Sequence, residues 1–403
     1  MTIRTLSPGE IDEFFRVVEG AFLTDLRSDV LDLYRALIEP QRAHALLDGD
    51  TLVGGGAILS RDMTLPGAGP VPVAAVTAVG VAPDQRRRGA LSTLMRTQLD
   101  GLHESGAEPV AALWASEGGI YGRFGYGTAA RRARLAAPSG TAFRPGVDTS
   151  GSPVRLLDRE QARPVMQRLH ARIAPQRVGW ISRPDAAWDE WLHDAEHSRR
   201  GASALRYLVA GEHGYAIFRA KEGGDERGPR FEIRVHELAA ETPAAHAALW
   251  RFLLDVDLGA EVVHRNLAVD DPLPLLLADP RAAVQTVSDS LWIRLVDLDR
   301  ALRARRYTAP CDLVLEVADA LCPWNAGSWR LQVDSDGAAR VQRSDAEPDL
   351  RCDIADLAAA YLGDTRFTAL AAAARVVELR PGAVPAASRA FAGDTAPHCP
   401  EVF

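Results

Sequence analysis

The segment Val76-Thr77-Ala78-Val79-Gly80-Val81-Ala82-Pro83-Asp84-Gln85-Arg86-Arg87-Arg88-Gly89-Ala90-Leu91 constrains the fold most, because an apolar, β-branched strand runs into an arginine-glycine turn that opens a helix. Such a turn is an anion seat. Amides of the first helical turn have no partner within the helix, the macrodipole adds positive character, and Gly89 puts no side chain between the backbone and a phosphate. A pyrophosphate suits it. The turn has neither the Gly-x-x-x-x-Gly-Lys-Ser/Thr of a P-loop nor the three spaced glycines of a dinucleotide fold, which argues against ATP and NAD.

The surrounding sequence alternates strands and helices. Ile11 to Ala21 and Val30 to Ile38 carry helical apolar spacing, followed by strands over Ala43 to Leu47, Thr51 to Leu59 and Val71 to Val81, with a turn at Asp48-Gly49-Asp50. Leu91, Leu94, Met95, Leu99 and Leu102 mark one face of the helix after the turn, and Val110 to Trp114 reads as the next strand. This pattern predicts an α/β domain over residues 1–150, closed by the breakers Pro138-Ser139-Gly140 and Gly151-Ser152-Pro153. Over 151–290 the same order returns: strands at Arg206 to Val209, Tyr215 to Arg219 and Phe231 to Leu238, a helix at Ala244 to Leu254, and a strand at Val262 to Asn266. Here Ala239-Ala240-Glu241-Thr242-Pro243 replaces the arginine-glycine turn, so this second copy is expected to lack a cofactor site. Residues 291–403 read as α+β, opening with Trp292 to Leu298 and continuing with strands at Leu313 to Val317 and Trp329 to Val333, a turn at Asp334-Ser335-Asp336-Gly337, and alanine-rich helices between Ile354 and Arg375.

Length supports several domains, since 403 residues exceed the ~250–300 at which one core stops growing. Lys221 is the one lysine, and the net charge is −8, so the arginine content reflects codon usage and no nucleic-acid partner is expected. Cys311, Cys322, Cys352 and Cys399 are too irregularly spaced for a zinc knuckle or redox pair, and buried thiols are expected. His193-Asp194-Ala195-Glu196-His197 fits His-x-x-Glu-His with two imidazoles on one helical face, but no third ligand is evident and no metal is expected. Without an apolar run of ~18 residues, the expectation is a soluble, cytoplasmic protein with no membrane partner.

Arg86-Arg87-Arg88-Gly89-Ala90-Leu91 resembles the Gln/Arg-x-x-Gly-x-Gly/Ala pyrophosphate loop of the GNAT superfamily of N-acetyltransferases, departing from it at Leu91. With Ala115-Ser116-Glu117-Gly118-Gly119-Ile120-Tyr121-Gly122-Arg123-Phe124-Gly125-Tyr126-Gly127, the whole chain resembles the enhanced intracellular survival (Eis) family of bacterial N-acetyltransferases. The resemblance implies two tandem GNAT domains, the second degenerate, then a sterol-carrier-like domain. It implies an enzyme using acetyl-CoA, assembled as a homohexamer, acting on small-molecule amines such as those of aminoglycosides or on lysine side chains of peptides. It implies that acetyl-CoA lies against Val79, Gly80 and Val81, with its pyrophosphate on Arg87, Arg88, Gly89, Ala90, Leu91 and Ser92, and with Ser116 and Glu117 completing that site. Tyr121 takes the general acid position, the α-carboxylate of Phe403 that of the general base, and Asp25 and Tyr34 match substrate-lining positions. Trp114 is bulkier than the family pattern, and Val402 separates Glu401 from the final aromatic residue.

These roles are chemically coherent. A bulged strand at Val79-Gly80-Val81 can aim an amide at the thioester oxygen, an oxyanion-hole arrangement whose removal typically costs ~3–4 kcal/mol. A phenol giving its proton to a thiolate works uphill by roughly 2 kcal/mol at ordinary pKa values. A terminal carboxylate near ~3.5 is a weak base unless burial raises it or water relays the proton, and Glu117 is the second candidate for that role. The competing function is a non-catalytic acyl-CoA or lipid-binding protein using the fold over 291–403.

Overall fold

The computed structural model describes residues 1–150, 152–226 and 228–403; Gly151, part of the expected boundary, lies outside them. The chain forms two compact units, each assembled from separate stretches: Met1–Ala130 with Ile181–Trp191 and Ser290–Phe403, and Arg131–Trp180 with Leu192–Asp289.

The first unit holds a seven-stranded sheet in the order Thr2–Thr5, Ala43–Asp48, Thr51–Leu65, Gly69–Val81, Val110–Trp114, Leu291–Leu295, Gly127–Thr128. Every neighbouring pair is antiparallel except Gly69–Val81 with Val110–Trp114, which run parallel through the crossover helix Ala90–Ser105. Period-two alternation sorts the side chains onto two faces. Ala57, Leu59 and Ala75 pack with Phe14, Phe15 and Val18 of the helix Ile11–Ala21, whereas Ile58, Ala74 and Val76 pack with Met95, Leu99 and Leu102 of Ala90–Ser105. The same unit carries a five-stranded sheet in the order Ala339–Arg343, Gly327–Val333, Cys311–Ala318, Leu350–Asp353, Val376–Glu378. Its turn at Asp334–Gly337 closes as the sequence predicts, with Gly337 at φ 80°. Helix Ile354–Ala360 lies on the first sheet so closely that a Cβ at Gly127 would sit 2.0 Å from the Ala355 carbonyl oxygen.

The second unit repeats the plan, in the order Val284–Asp289, Arg131–Pro138, Gly259–Ala268, Phe231–Ala240, Gly214–Lys221, Arg206–Ala210, Val154–Leu157. Trp250, Leu249 and Leu253 of helix Pro243–Leu254 fill its core against Leu135, Ile233 and Val262.

Two expectations need correction. The boundaries near 150 and 290 do not follow the sheets, because Arg131–Pro138 pairs with Gly259–Ala268 in the second sheet and Leu291–Leu295 pairs with Val110–Trp114 in the first. Nor do His193 and His197 share a helix: helix Asp185–Trp191 ends before His193, and His197 lies in the separate turn Glu196–Arg199. Asp194 explains the break, since its carboxylate accepts from the Leu205 amide at 2.7 Å and from Arg199 at 3.0 Å. Among the described residues no helix is long and apolar enough to cross a membrane.

Candidate active site

The site begins as a defect in the first sheet. Between Gly55↔Gly80 and Ala57↔Thr77 the ladder slips, so Ala78 and Val79 face the single residue Gly56. Ala78 takes φ 50°, a left-handed conformation that an alanine adopts only when the surroundings hold it there. Such a bulge interrupts the ladder and leaves backbone groups free to face a ligand. The parallel pairing with Val110–Trp114 runs only from Val73↔Val110 to Ala75↔Ala112, and beyond it the two strands part. Residues 76–81 and 113–114 therefore border a wedge with the bulge inside it.

At the end of the bulged strand, a single turn Pro83–Gln85 leads to Gly89, which precedes helix Ala90–Ser105 at φ 83° with no side chain capping the first turn. Nothing lies within 4 Å of the place a Gly89 Cβ would occupy, and no side chain caps the first-turn amides of Ala90, Leu91 and Ser92. This is the cradle an anionic pyrophosphate needs. The three arginines divide the work. Arg86 is structural: Nη2 donates to the Ala21 carbonyl at 2.5 Å and Nε to the Val81 carbonyl at 3.3 Å, fastening the turn to the end of the first helix. Arg87 is exposed and itself left-handed at φ 63°, while exposed Arg88 bonds to Gln85 and lies 3.4 Å from Asp48. Leu91, which departs from the loop pattern, joins the apolar cluster around Met95 and Tyr121.

Tyr121 opens the short helix Tyr121–Phe124 after the Ser116-Glu117-Gly118-Gly119 turn. Its ring meets Tyr126 edge-on at 5.9 Å and packs in the cluster that contains Val76, Leu113, Val79 and Leu91. The acid candidate, the bulge and the start of the uncapped helix thus share one apolar assembly. Burial, reinforced by the charge of Glu117, pushes the Tyr121 phenol up to about 12. It therefore holds its proton throughout the physiological range. Ser116 and Glu117 are exposed beside it.

On the other face of the bulge, Phe403, Ala78 and Tyr34 each pack against the apolar cluster that contains Phe14 and Phe15. Tyr34 stacks on Phe15 at 4.4 Å and donates to Glu19 Oε1 at 3.1 Å. Burial and then Glu19 drive its phenol well above the ordinary range. Asp25 is exposed in the loop between helices Ile11–Ala21 and Ser28–Leu37. Residues without any sequence signal complete this side. Glu190 faces Glu401, Arg61 and Arg183, and burial followed by repulsion from Glu401 raises its carboxyl to about 7. Trp114 also finds its place here, since its side chain is close enough to buried Cys399 to act on the thiol. Among the described residues no group of three or more His, Cys, Asp or Glu side chains is arranged to hold a metal ion.

Family models agree with this layout. Residues 2–129 and 179–303 each match an acetyltransferase (GNAT) domain, and residues 298–400 match a sterol carrier protein domain. An uncharacterised N-acetyltransferase from Streptomyces avermitilis is 42% identical, with 93% of each chain covered. N-acetyltransferase Eis from Mycobacterium tuberculosis is 34% identical over 79% of this chain and 81% of its own. The crystal structure of Eis1 from Mycobacterium abscessus superposes with a TM-score of 0.87 at 33% identity, covering 100% of both chains. With two GNAT domains, a sterol carrier domain and this degree of identity, the chain belongs to the Eis family of N-acetyltransferases.

Proposed function

We propose that this enzyme transfers the acetyl group of acetyl-CoA directly to amines of cationic small molecules of the aminoglycoside kind, with Tyr121 as general acid and the α-carboxylate of Phe403 as general base. One observation carries the reading: the adjacent bulge residues Val79 and Ala78 belong to different clusters, the first shared with Tyr121 and the second with Phe403. Proton donor and proton acceptor thereby flank the strand defect from opposite faces. When bound, acetyl-CoA supplies a thioester-activated acetyl group. The Gly89 cradle with Arg87 and Arg88 holds the pyrophosphate, backed by Ala90, Leu91 and Ser92, while the wedge at Val79, Gly80 and Val81 receives the arm and Ser116 and Glu117 border it. An amide freed by the bulge meets the charge that develops on the carbonyl oxygen.

Tyr121 delivers its proton to the departing sulfur. From a phenol near 12 to a thiol near 8.5 the transfer is uphill by about 5 kcal/mol, more than the roughly 2 kcal/mol for an unburied tyrosine. A turnover of about 10 per second corresponds to a barrier of about 16 kcal/mol, which accommodates that step. On the acceptor side Glu19, Asp25, Glu190 and the terminal carboxylate favour cations, and Tyr34 offers an aromatic wall.

The test is acetyl-CoA turnover with a panel of aminoglycosides, simple polyamines and lysine-rich peptides, repeated for Tyr121→Phe and for the chain lacking Phe403. Turnover with aminoglycosides, lost in both variants, is the expected result. Turnover confined to peptides would reassign the substrate, and turnover intact in both variants would reject the assigned roles. A homohexamer in the cytoplasm is proposed with this reading on family likeness, and light scattering at micromolar concentration measures the assembly.

A further inference from the structure

We infer that Arg183 is a positioning residue that fixes the Glu401–Phe403 tail beside the bulge, a role that rests on the proposed function only in making the Phe403 carboxylate the base. The last residues of a chain ordinarily fray unless something ties them down. Here Cys399, Pro400 and Glu401 are buried, and Arg183 Nε donates to Glu401 Oε2 at 2.5 Å, an ion pair with side-chain exposures of 0% and 4%. The guanidinium is itself held in place, lying over the Trp188 ring at 4.5 Å and the Trp191 ring at 4.8 Å. Cys399 Sγ donates to the Glu401 carbonyl at 3.1 Å, which turns the buried tail back on itself at the anchor.

Chain geometry restricts the two residues after Glu401. Together they carry the chain about 7 Å from Cα to Cα at full extension, so anchoring Glu401 confines the Phe403 carboxylate to within about 10 Å of the Glu401 Cα. Val402 is 52% exposed between buried Glu401 and half-buried Phe403. The alternation turns Glu401 and Phe403 to the protein side, one onto Arg183 and the other into the cluster with Ala78 and Tyr34. The valine that interrupts the family's terminal pattern is therefore a spacer between an anchor and a base. A buried pair of this kind adds little net stability against an apolar substitute, but losing one partner strands the other charge. Its value lies in specifying position.

The experiment uses the full-length protein with Arg183→Met, Arg183→Lys, Glu401→Gln and a Phe403 deletion, each verified as folded by circular dichroism and thermal melting. Two readouts are taken: kcat and KM for acetyl-CoA and amine, and the rate at which carboxypeptidase releases Phe403. Arg183→Met is expected to speed release at least tenfold and to lower kcat at least tenfold with acetyl-CoA KM within twofold. Glu401→Gln should move both in the same direction, and Arg183→Lys should restore part of each. Unchanged release and kcat in both Arg183→Met and Glu401→Gln would overturn the inference. A Phe403 deletion that keeps full kcat would instead reject the base assignment, while the release assay still decides whether Arg183 holds the tail.

Discussion

The two GNAT domains contain the same strand defect and end in opposite helix caps. In the second, Ile217↔Glu237 is followed by Phe218↔Val235, leaving His236 as the extra residue of a bulge, and the parallel pairing with Gly259–Ala268 stops at Val235↔His264. Wedge and bulge therefore survive in both. What differs is the helix that comes next. Thr242 caps Pro243–Leu254 by accepting from the Ala245 amide at 3.2 Å, and proline at the first helical position removes another donor. The first domain puts uncapped Gly89 there. In the second domain buried Tyr215 bonds to buried Glu237, and half-buried His246 lies 3.1 Å from both Asp271 and the Trp250 indole nitrogen. One domain leaves the first turn of its helix without a side-chain cap and the other caps it, a difference made without any change of fold.

The sharpest way to break this contrast is to remove one phenol from each domain. Tyr121→Phe should lower kcat by roughly 10²–10⁴, the usual worth of a general acid. Tyr215→Phe should leave kcat within twofold and lower stability by about 1–3 kcal/mol, because buried Glu237 loses one donor. Equal kinetic losses would erase the distinction. Next in size, Gly89→Val should raise the acetyl-CoA KM at least tenfold, since a β-branched residue resists φ 83° by about 1–2 kcal/mol and its side chain enters the cradle. Initial rates and calorimetry with coenzyme A measure it.

Smaller effects sharpen the electrostatic side. Glu190, raised to about 7 in the fold against an ordinary 4.5, binds its proton more tightly folded than unfolded. The stability it lends is present at low pH and is lost as pH rises towards 7; above that its charge is a constant burden. Glu190→Gln should therefore raise Tm by a few degrees at pH 8 and leave it nearly unchanged at pH 4.5, as scanning calorimetry will show. A larger gain at the acid end would mean the sign is wrong. The smallest expected change is Thr242→Ala, which should cost about 1 kcal/mol in urea melts and leave acetyl-CoA turnover intact.

Much of this was legible because its signals are local. Alternating apolar residues mark Gly69–Val81 and Phe231–Ala240, and a glycine after three arginines marks the uncapped helix. Ile11–Ala21 and Val110–Trp114 follow the predicted bounds. Partner choice between distant strands leaves no such mark, so Leu291–Leu295 reads as the start of the last domain although it pairs into the first sheet. The tail anchor is hidden for the same reason, with Arg183 and Glu401 separated by 218 residues. The bulge at Ala78 was only half visible: Gly80 suggests an irregular strand, but the left-handed residue is an alanine, which sequence propensities place elsewhere.

Inserting Leu291–Leu295 between Val110–Trp114 and Gly127–Thr128 has a consequence for biosynthesis. A ribosome making this protein must translate some 160 residues beyond Gly127–Thr128 before the strand that joins it to its sheet emerges. Until then, the edge of Val110–Trp114 is an open template for any passing β-strand. The nascent polypeptide is thus most vulnerable to aggregation while its second GNAT module is being synthesised, and a chaperone that shields that edge would have its greatest effect in that interval.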